Sequence, residues 1–381
     1  FVAVVLFGVC RALDCSFSEI YPRQYIVYKA EDSDFDLDGK LDEAAWESVP
    51  FTADFVDINT TTVPHFRTSA KIRYTDNYLY IGAVLQETAV WGNISWTCHC
   101  LNSSQDQVIF HDNDFEIFTD PDGSTHYYKE FEMNVNSATW DLCLDKPYWD
   151  SGNENSSRVF GQHGFDMQHM HSSMKAQAFT DGGINDPARP ATFWSVEVAL
   201  PLHGLAVNNS VTVPPKPGQF WRINFSRVEW NTKVVNGKYQ KDPKCQSCPV
   251  PGGPHEDNWV WSPQGVVDMH RPERWGMLQF SESKPNATKP VRNPEWTVRS
   301  VAMEIYDAEH AYAGDNSGLF TSDLSQLSKY MVHPELLEGA CTQVPAVEVD
   351  NGKFFANVSS ASGDMFGTVW NDRFLTVHHR D

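Results

Sequence analysis

The sequence predicts a mainly β protein: an antiparallel β-sandwich followed by a small C-terminal α+β unit. Between about residues 21 and 280, short segments alternate apolar and polar residues with a period of two. Turn-forming residues separate these segments, and helical spacing is nearly absent before residue 283. Many short strands at regular spacing are typical of two packed sheets, because each strand then buries one face.

Five segments carry the clearest strand patterns. Residues 78–85 (YLYIGAVL) are apolar on both faces, which predicts a strand in the middle of a sheet. Residues 114–120 (DFEIFTD) and 130–136 (EFEMNVN) alternate, so each strand collects its acidic and amide side chains on one face. Residues 194–200 and 220–225 continue the period of two.

The pattern changes after residue 283. A polar, proline-containing linker covers residues 284–294, and apolar residues then recur at helical spacing from 296 to 312. Short strand patterns follow near residues 346–349, 354–358, 367–370 and 374–377. We therefore expect a β-sandwich over residues 21–283 and a small α+β unit over residues 290–381.

The first residues predict export. Residues 1–10 (FVAVVLFGVC) form an apolar run, and Arg11 and Ala12 follow it. This pattern predicts a signal-peptide remnant over residues 1–12, with cleavage after Ala12. A buried N-terminal strand is the alternative. The run is shorter than the roughly 20 residues that span a bilayer, and no later stretch is long and apolar enough.

Sequons and cysteines also favour a secreted, disulfide-containing glycoprotein. The chain has eight N-x-S/T sequons. Seven are predicted glycosylation sites: Asn59, Asn93, Asn102, Asn155, Asn208, Asn286 and Asn357. Most of the eight cysteines should pair in an oxidising compartment, with the connectivity left open. Cys245 and Cys248 lie in a Pro/Gly-rich loop and could form a small disulfide, a redox pair or half of a zinc site.

The charge of the chain excludes some partners. The formal net charge is −21. Nucleic acids and anionic membrane surfaces repel a protein this acidic, so we expect neither as a partner. Neutral sugars and divalent cations remain compatible with this charge.

Several segments occur in the order found in a known family. They are DGKLDEAAW at 38–46, YLYIGAVL at 78–85, HDNDFEIFTDPDG at 111–123, YYKEFEMNVNSATWD at 127–141, WRINFSRVEW at 221–230, and EDNWVWSPQGVVDMHRPERWGMLQF at 256–280. Together they resemble family 9 carbohydrate-binding modules over about residues 21–280. The resemblance implies a β-sandwich that binds a glycan or polysaccharide, either alone or beside a glycoside hydrolase in carbohydrate catabolism. The unit after residue 283 lies outside the resemblance.

The residues themselves suggest where a sugar would bind. If the strands at 114–120, 130–136 and 220–225 share a sheet, their polar residues form one face, and carboxylate, amide and guanidinium groups suit sugar hydroxyls. Tryptophans near strand ends could stack on a sugar ring. The predicted carbohydrate-binding residues are Glu116, Glu132, Asn134, Arg222, Asn224, Trp91, Trp140, Trp230 and Trp261. The alternatives are a solvated outer face and tryptophans that belong to the core.

The sequence also leaves open a metal site and two alternative functions. Asp120 and Asp122 lie on a turn where closely spaced oxygens could hold a structural calcium ion, although an acidic hairpin turn is the alternative. Family members related to this sequence carry calcium. Paired strand carboxylates could instead serve a glycoside hydrolase, as Asp114 with Glu116 or Glu130 with Glu132. A haem-binding sandwich using Met269-His270 or residues 167–171 is a further alternative, but adjacent strand residues point to opposite faces.

Overall fold

The computed structural model describes residues 13–95, 108–156, 175–242 and 256–380. The chain divides into two compact units. One unit spans Pro22–Val291, and the other combines the described residues of Phe1–Tyr21 and Arg292–Asp381. The predicted signal-peptide remnant, residues 1–12, lies outside the described residues.

The larger unit is built almost entirely of strands. They are β1 Gln24–Lys29, β2 Val56–Asp57, β3 Thr68–Tyr74, β4 Tyr78–Gln86, β5 Asp114–Asp120, β6 Tyr128–Asn134, β7 Thr139–Leu144, β8 Glu154–Asn155, β9 Lys175–Thr180, β10 Phe193–Pro201, β11 Phe220–Trp230, β12 Thr232–Val235, β13 Lys238–Lys241, β14 Glu256–Val260 and β15 Gly276–Ser281. Two short helices accompany them, α1 Ala44–Glu47 and α2 Leu202–Leu205. The prediction of a mainly β fold is confirmed.

One curled sheet contains most of these strands. Its order is β8-β7-β6-β5-β11-β15-β1-β3-β4-β10-β9, and β14 pairs with β11 and β2. Strand β1 runs parallel to both β15 and β3, whereas the other pairs are antiparallel. The sheet is therefore mixed at one strand, where the alternation of the sequence predicted antiparallel pairing throughout. Strands β12 and β13 form a separate hairpin.

The core lies inside the curl. Ile72 and Ile81 from one half of the sheet belong to the same buried cluster as Ile117, Phe131 and Phe225 from the other half. Because side chains alternate along a strand, the residues between them on β5, β6 and β11 point to the opposite, outer face. That outer face carries the polar side chains discussed below.

Helix α1 secures one edge of the core. Trp46 on this helix is fully buried, and its Nε1 donates a 2.8 Å hydrogen bond to Glu197 Oε1. The backbone N–H groups of Asp38 and Gly39 donate to Glu197 Oε2, each at 2.9 Å. Gly39 has φ of +89°, a conformation that glycine adopts without strain. The DGKLDEAAW segment thus forms a turn and a helix around one buried carboxylate.

The smaller unit packs one long helix on an antiparallel sheet. Its elements are α3 Trp296–Asp315, α4 Leu324–Leu327, β16 Ala346–Asp350, β17 Lys353–Ser359, β18 Met365–Trp370 and β19 Leu375–His379. The sheet order is β16-β17-β18-β19. Val298, Val301 and Ile305 form the buried stripe of α3 that the helical spacing predicted. A disulfide joins Cys15 to Cys341, so the segment before Tyr21 belongs to this unit.

Some of the sequons and cysteines that favoured export lie within the described residues. Among the predicted glycosylation sites, Asn59, Asn93, Asn208 and Asn286 are exposed, while Asn155 and Asn357 are half-buried. Asn102 and the cysteines at 10, 98, 100, 245 and 248 lie outside the described residues. Cys143 is free and buried. In the part of the chain that the structure describes, no helix is long and apolar enough to cross a membrane.

Candidate functional site

A cleft of about 410 Å³ opens on the outer face of β5, β6 and β7. Its carboxylate-bearing wall consists of Glu116, Glu130 and Glu132. The strand register explains why they meet: Glu116 on β5 lies opposite Glu132 on β6, and Ser226 on β11 lies opposite Glu116 from the other side. The three strands therefore form the shared polar face that the period of two predicted.

Glu116, Glu132 and the neighbouring Asp114 are held in an environment that favours their protonated form. Burial raises the pKa of Glu116 to about 7. Burial, followed by the nearby charge of Glu116, raises the pKa of Asp114 and of Glu132 well above their ordinary values. A protonated carboxyl both donates and accepts hydrogen bonds, as a sugar hydroxyl does.

Aromatic side chains form the other walls. Trp140 and Phe110 line the cleft, and so do Tyr148 and His270. Trp140 lies directly across the β6–β7 pair from Glu132. The ring of Tyr148 meets the ring of His270 edge to face, with centroids 4.6 Å apart. The cleft thus combines apolar ring surfaces with a few polar groups, which is typical of small-molecule sites.

The sequence analysis missed two exposed aromatic residues on the turn after β7, of which Tyr148 lines the cleft. Tyr148 and Trp149 lie on a 3₁₀ turn, Tyr148–Asp150, that follows β7. Tyr148 is 40% exposed and Trp149 is 75% exposed. The Tyr148 hydroxyl donates a 2.6 Å hydrogen bond to Glu154, which holds the turn in place. A signal was present, because a tryptophan in a turn between Pro147 and Asp150 cannot be a strand-core residue.

Three of the four predicted tryptophans do not line the cleft, and protein atoms cover their rings. Trp261 points to the inner face of the sheet and packs in the core, where its ring centroid is 5.8 Å from that of Phe225. Trp91 is buried, and Trp230 is half-buried. The Lys241 ammonium lies 3.4 Å from the centroid of the Trp230 ring and 5.5 Å from that of Trp91. Of the four, Trp140 lines the cleft.

The predicted amide residues are occupied by protein partners. Asn224 donates to the Ser262 carbonyl at 2.8 Å, and its Oδ1 accepts from the Ser262 N–H at 2.8 Å. Asn134 donates to the Ile94 carbonyl at 2.8 Å and accepts from the backbone N–H groups of residues 136 and 138. Both amides hold loops against the sheet, and neither lines the cleft. We therefore leave Asn134 and Asn224 out of the candidate site.

Arg222 also has a structural position. Its Nη1 donates a 3.0 Å hydrogen bond to the Trp275 carbonyl. The segment from Ser262 to Trp275 crosses the outer face at this end of β11, so it covers both Arg222 and Asn224. Arg222 does not line the cleft, whereas Glu116, Glu132 and Trp140 do, and a role for Arg222 in sugar binding stays a prediction.

The acidic turn that was predicted to bind calcium is held by protein donors. Asp122 accepts hydrogen bonds from the Ser124 N–H at 3.0 Å, the Ser210 N–H at 2.7 Å and Asn209 Nδ2 at 3.1 Å. Asp120 accepts from the Thr125 N–H at 2.8 Å. Burial raises the pKa of Asp122, but the hydrogen bonds from Ser210 and Ser124 outweigh it and lower the pKa overall. Calcium at this turn stays a prediction.

Two of the suggested haem ligands fall within the described residues. Met269 and His270 both line the cleft, and His270 Nδ1 is 2.8 Å from the Tyr128 hydroxyl. Residues 167–171 lie outside the described residues. The haem alternative stays a hypothesis.

Comparison with known proteins gives structural similarity only. No protein-family model matches the chain, and no curated protein matches its sequence. A candidate carbohydrate-binding protein from Bacteroides uniformis matches at 15% identity and TM-score 0.42, over 68% of this chain and 100% of that one.

A family 9 carbohydrate-binding module from Caldicellulosiruptor kristjanssonii also matches, in complexes with two sugars. The cellotriose complex matches at 14% identity and TM-score 0.37, over 71% of this chain. The glucose complex matches at 12% identity and TM-score 0.36, over 70% of this chain. Both matches cover 100% of the module.

A second cleft occurs elsewhere in the larger unit. It measures about 780 Å³, and Phe35, Tyr78, Tyr80 and Lys175 are among its lining residues. The rings of Phe35 and Tyr80 stack with centroids 3.9 Å apart, so each ring covers one face of the other. None of the predicted carbohydrate-binding residues lines this cleft. It serves below as the internal control for the first cleft.

Proposed function

We propose that this chain is a secreted carbohydrate-binding protein that holds a glycan in the cleft formed by β5, β6 and β7. The observation that carries the proposal is the pairing of buried carboxyl groups with aromatic rings in one cavity. Glu116 and Glu132 supply hydrogen-bonding groups on one wall, and Trp140 and Tyr148 supply ring surface on others.

Sugar rings match this chemistry. Their hydroxyl groups need partners that donate and accept, and their C–H faces are attracted to the electron-rich face of an aromatic ring. The volume of about 410 Å³ lies within the range of roughly 300–1,000 Å³ that is typical of small-molecule sites. We place Trp149 at the rim, where it could extend the stacking surface toward a longer chain.

Export rests on separate observations. The Cys15–Cys341 disulfide favours an oxidising compartment, since such bonds are rare in the cytosol. Four of the predicted sequons are exposed, as glycosylation requires. The partner that we propose is therefore an extracellular glycan or polysaccharide, bound by this protein alone or beside a glycoside hydrolase.

Glycoside hydrolysis is the second candidate, and one observation favours it. A catalytic acid must carry a proton at neutral pH, and the raised pKa of Glu116, about 7, meets this requirement. Release of reducing sugar by the wild type, abolished in Glu116→Gln, would favour hydrolysis over binding alone.

A glycan array followed by calorimetry tests the binding proposal. We expect the full chain to bind at least one neutral glycan, and Tyr148→Ala or Trp149→Ala to weaken binding by about tenfold or more. The matched control is Tyr78→Ala in the second cleft, which should bind normally. Loss of binding in Tyr78→Ala alone would move the site to the second cleft. A wild type that binds no glycan would contradict the proposal.

A further inference from the structure

Three buried carboxylates meet where β5 pairs with β6. They belong to Asp114, Glu116 and Glu132, and one oxygen of each lies within 4.8 Å of the other two. The register brings them together, because Glu116 lies opposite Glu132 and Asp114 is two residues from Glu116 on the same face. Three negative charges at this separation repel one another strongly in a buried setting.

Protein donors leave two oxygens of this cluster without a partner among the described residues. Asp114 Oδ1 accepts one hydrogen bond, from the Val228 N–H at 3.2 Å. Asp114 Oδ2 and Glu132 Oε2 have no hydrogen-bond partner among the described residues. Asp114 is 0% exposed and Glu132 is 1% exposed, so their carboxylates are withdrawn from bulk water, where a buried oxygen without a partner is costly.

The basic residues Arg227 and Lys129, which lie on these strands, make their contacts on the opposite face. Arg227 points to the inner face, where it pairs with Glu87 and Glu229. Lys129 also alternates to the inner face and donates to the carbonyls of Tyr127 and Val207. None of the ion pairs that join described residues includes Asp114, Glu116 or Glu132. The neighbouring charges of Asp112 and Glu130 add further repulsion.

We propose that Asp114, Glu116 and Glu132 bind a hard divalent cation of the calcium type. Carboxylate oxygens are the preferred ligands of such cations, and calcium takes about six to eight of them. Glu116 and Glu132 also line the cleft of about 410 Å³, so water can complete the coordination shell from that side. The cation offsets the mutual repulsion of the carboxylates and satisfies the two unpartnered oxygens. This site is distinct from the turn at Asp120 and Asp122, and it does not require sugar binding.

The experiment measures cation binding on the full chain without any sugar. After chelator treatment and dialysis, calcium is titrated by calorimetry, and terbium is titrated while tryptophan is excited. Trp140, which lines the same cleft, should sensitise terbium emission that calcium then quenches by displacement. We expect Glu132→Gln and Asp114→Asn to weaken binding at least about tenfold, because each removes a charged ligand. The matched control is Glu256→Gln, a cleft residue outside the cluster, which should bind as the wild type does.

Several results would overturn the proposal. Absence of calcium and terbium binding to the metal-free wild type would mean that protons alone neutralise the cluster. Binding that is lost in Asp122→Asn and kept in Glu132→Gln would assign the cation to the turn. Circular dichroism and thermal unfolding check that each variant folds, and Glu116→Gln replaces any that does not. Sugar is absent throughout, so a negative result here leaves the carbohydrate proposal to its own test.

Discussion

Two clusters of buried charge lie on opposite faces of β11 and its neighbours, and they differ in how their carboxylates are satisfied. On the inner face, Arg227 contacts Glu229 at 2.8 Å and Glu87 at 3.0 Å. The remaining oxygens of these carboxylates accept from Asn113 and from the backbone N–H groups after residue 87. On the outer face, Asp114 and Glu132 keep oxygens without a hydrogen-bond partner among the described residues.

This difference separates a structural cluster from a functional one. A buried ion pair with every oxygen satisfied is complete within the fold, and it needs nothing from solution. A buried acidic cluster that adjoins a cleft is incomplete without a proton, a cation or a ligand. The comparison therefore predicts that changes on the inner face alter stability, whereas changes on the outer face alter the response to pH and ligands.

The largest expected effect is on the inner face. Arg227→Met should lower the free energy of unfolding by about 3–5 kcal/mol, because it leaves Glu87 and Glu229 buried without a counter-charge. Denaturant unfolding at neutral pH, compared with the wild type, measures this loss of unfolding free energy. The control is Arg67→Met, since the Arg67 side chain is 73% exposed and water screens its pair with Asp54, so this variant should change the free energy of unfolding far less. Equal losses in the two variants would remove the distinction between the clusters.

The outer cluster should make stability depend on pH. The folded-state pKa of Glu116 is raised from 4.5 to about 7, so the folded state binds a proton that the unfolded state has already lost between these values. Its contribution is therefore fully present below pH 4.5 and is lost as the pH rises to about 7. In metal-free protein we expect a loss on the order of 3 kcal/mol across this window.

Comparison with Glu116→Gln isolates that contribution. Unfolding free energies of both proteins, measured at several pH values, should diverge across the window, with the variant showing the shallower decline. Glu197 and Glu309 also have pKa values raised to about 7 by burial, so the wild-type curve alone is not diagnostic. Parallel curves for the two proteins would show that Glu116 is not held in its protonated form.

The smallest effect concerns Lys241, a basic residue on the outer-face side. Its ammonium lies 3.4 Å from the centroid of the Trp230 ring, so Lys241→Met should cost about 0.5–1 kcal/mol of cation–π stabilisation. Thermal unfolding against the wild type measures this loss. If the variant also steepens the pH dependence described above, Lys241 neutralises the acidic cluster, and the contrast between the two faces is weaker than described.

The period of two was enough to predict the strands and the face that each side chain occupies. The same pattern could not predict how much of each face is buried, because the segments that pack over a face are distant in the sequence. Asn224 and Arg222 were predicted on the correct face, yet the segment from Ser262 to Trp275 lies over them. Trp261 shows the same limit, since its position near a turn gave no indication of the core around it.

The exposed aromatic residues Tyr148 and Trp149 needed the structure for a different reason. Tyr148 and Trp149 lie on a turn whose direction depends on the register of β7 and β8. Local sequence marks such residues as exposed but does not say which surface they face. The strand carboxylates were predictable because their geometry is regular, whereas the geometry of turns is set by tertiary contacts.

The disulfide between Cys15 and Cys341 has a consequence for the order of biosynthesis. Its two cysteines are separated by 326 residues, so a chain made from its N-terminus carries Cys15 as an unpaired thiol until Cys341 has been made. The sandwich strands emerge during that interval and can assemble first. The disulfide of the smaller unit can therefore form only after the strands of the larger unit have been made, since Cys15 precedes those strands and Cys341 follows them.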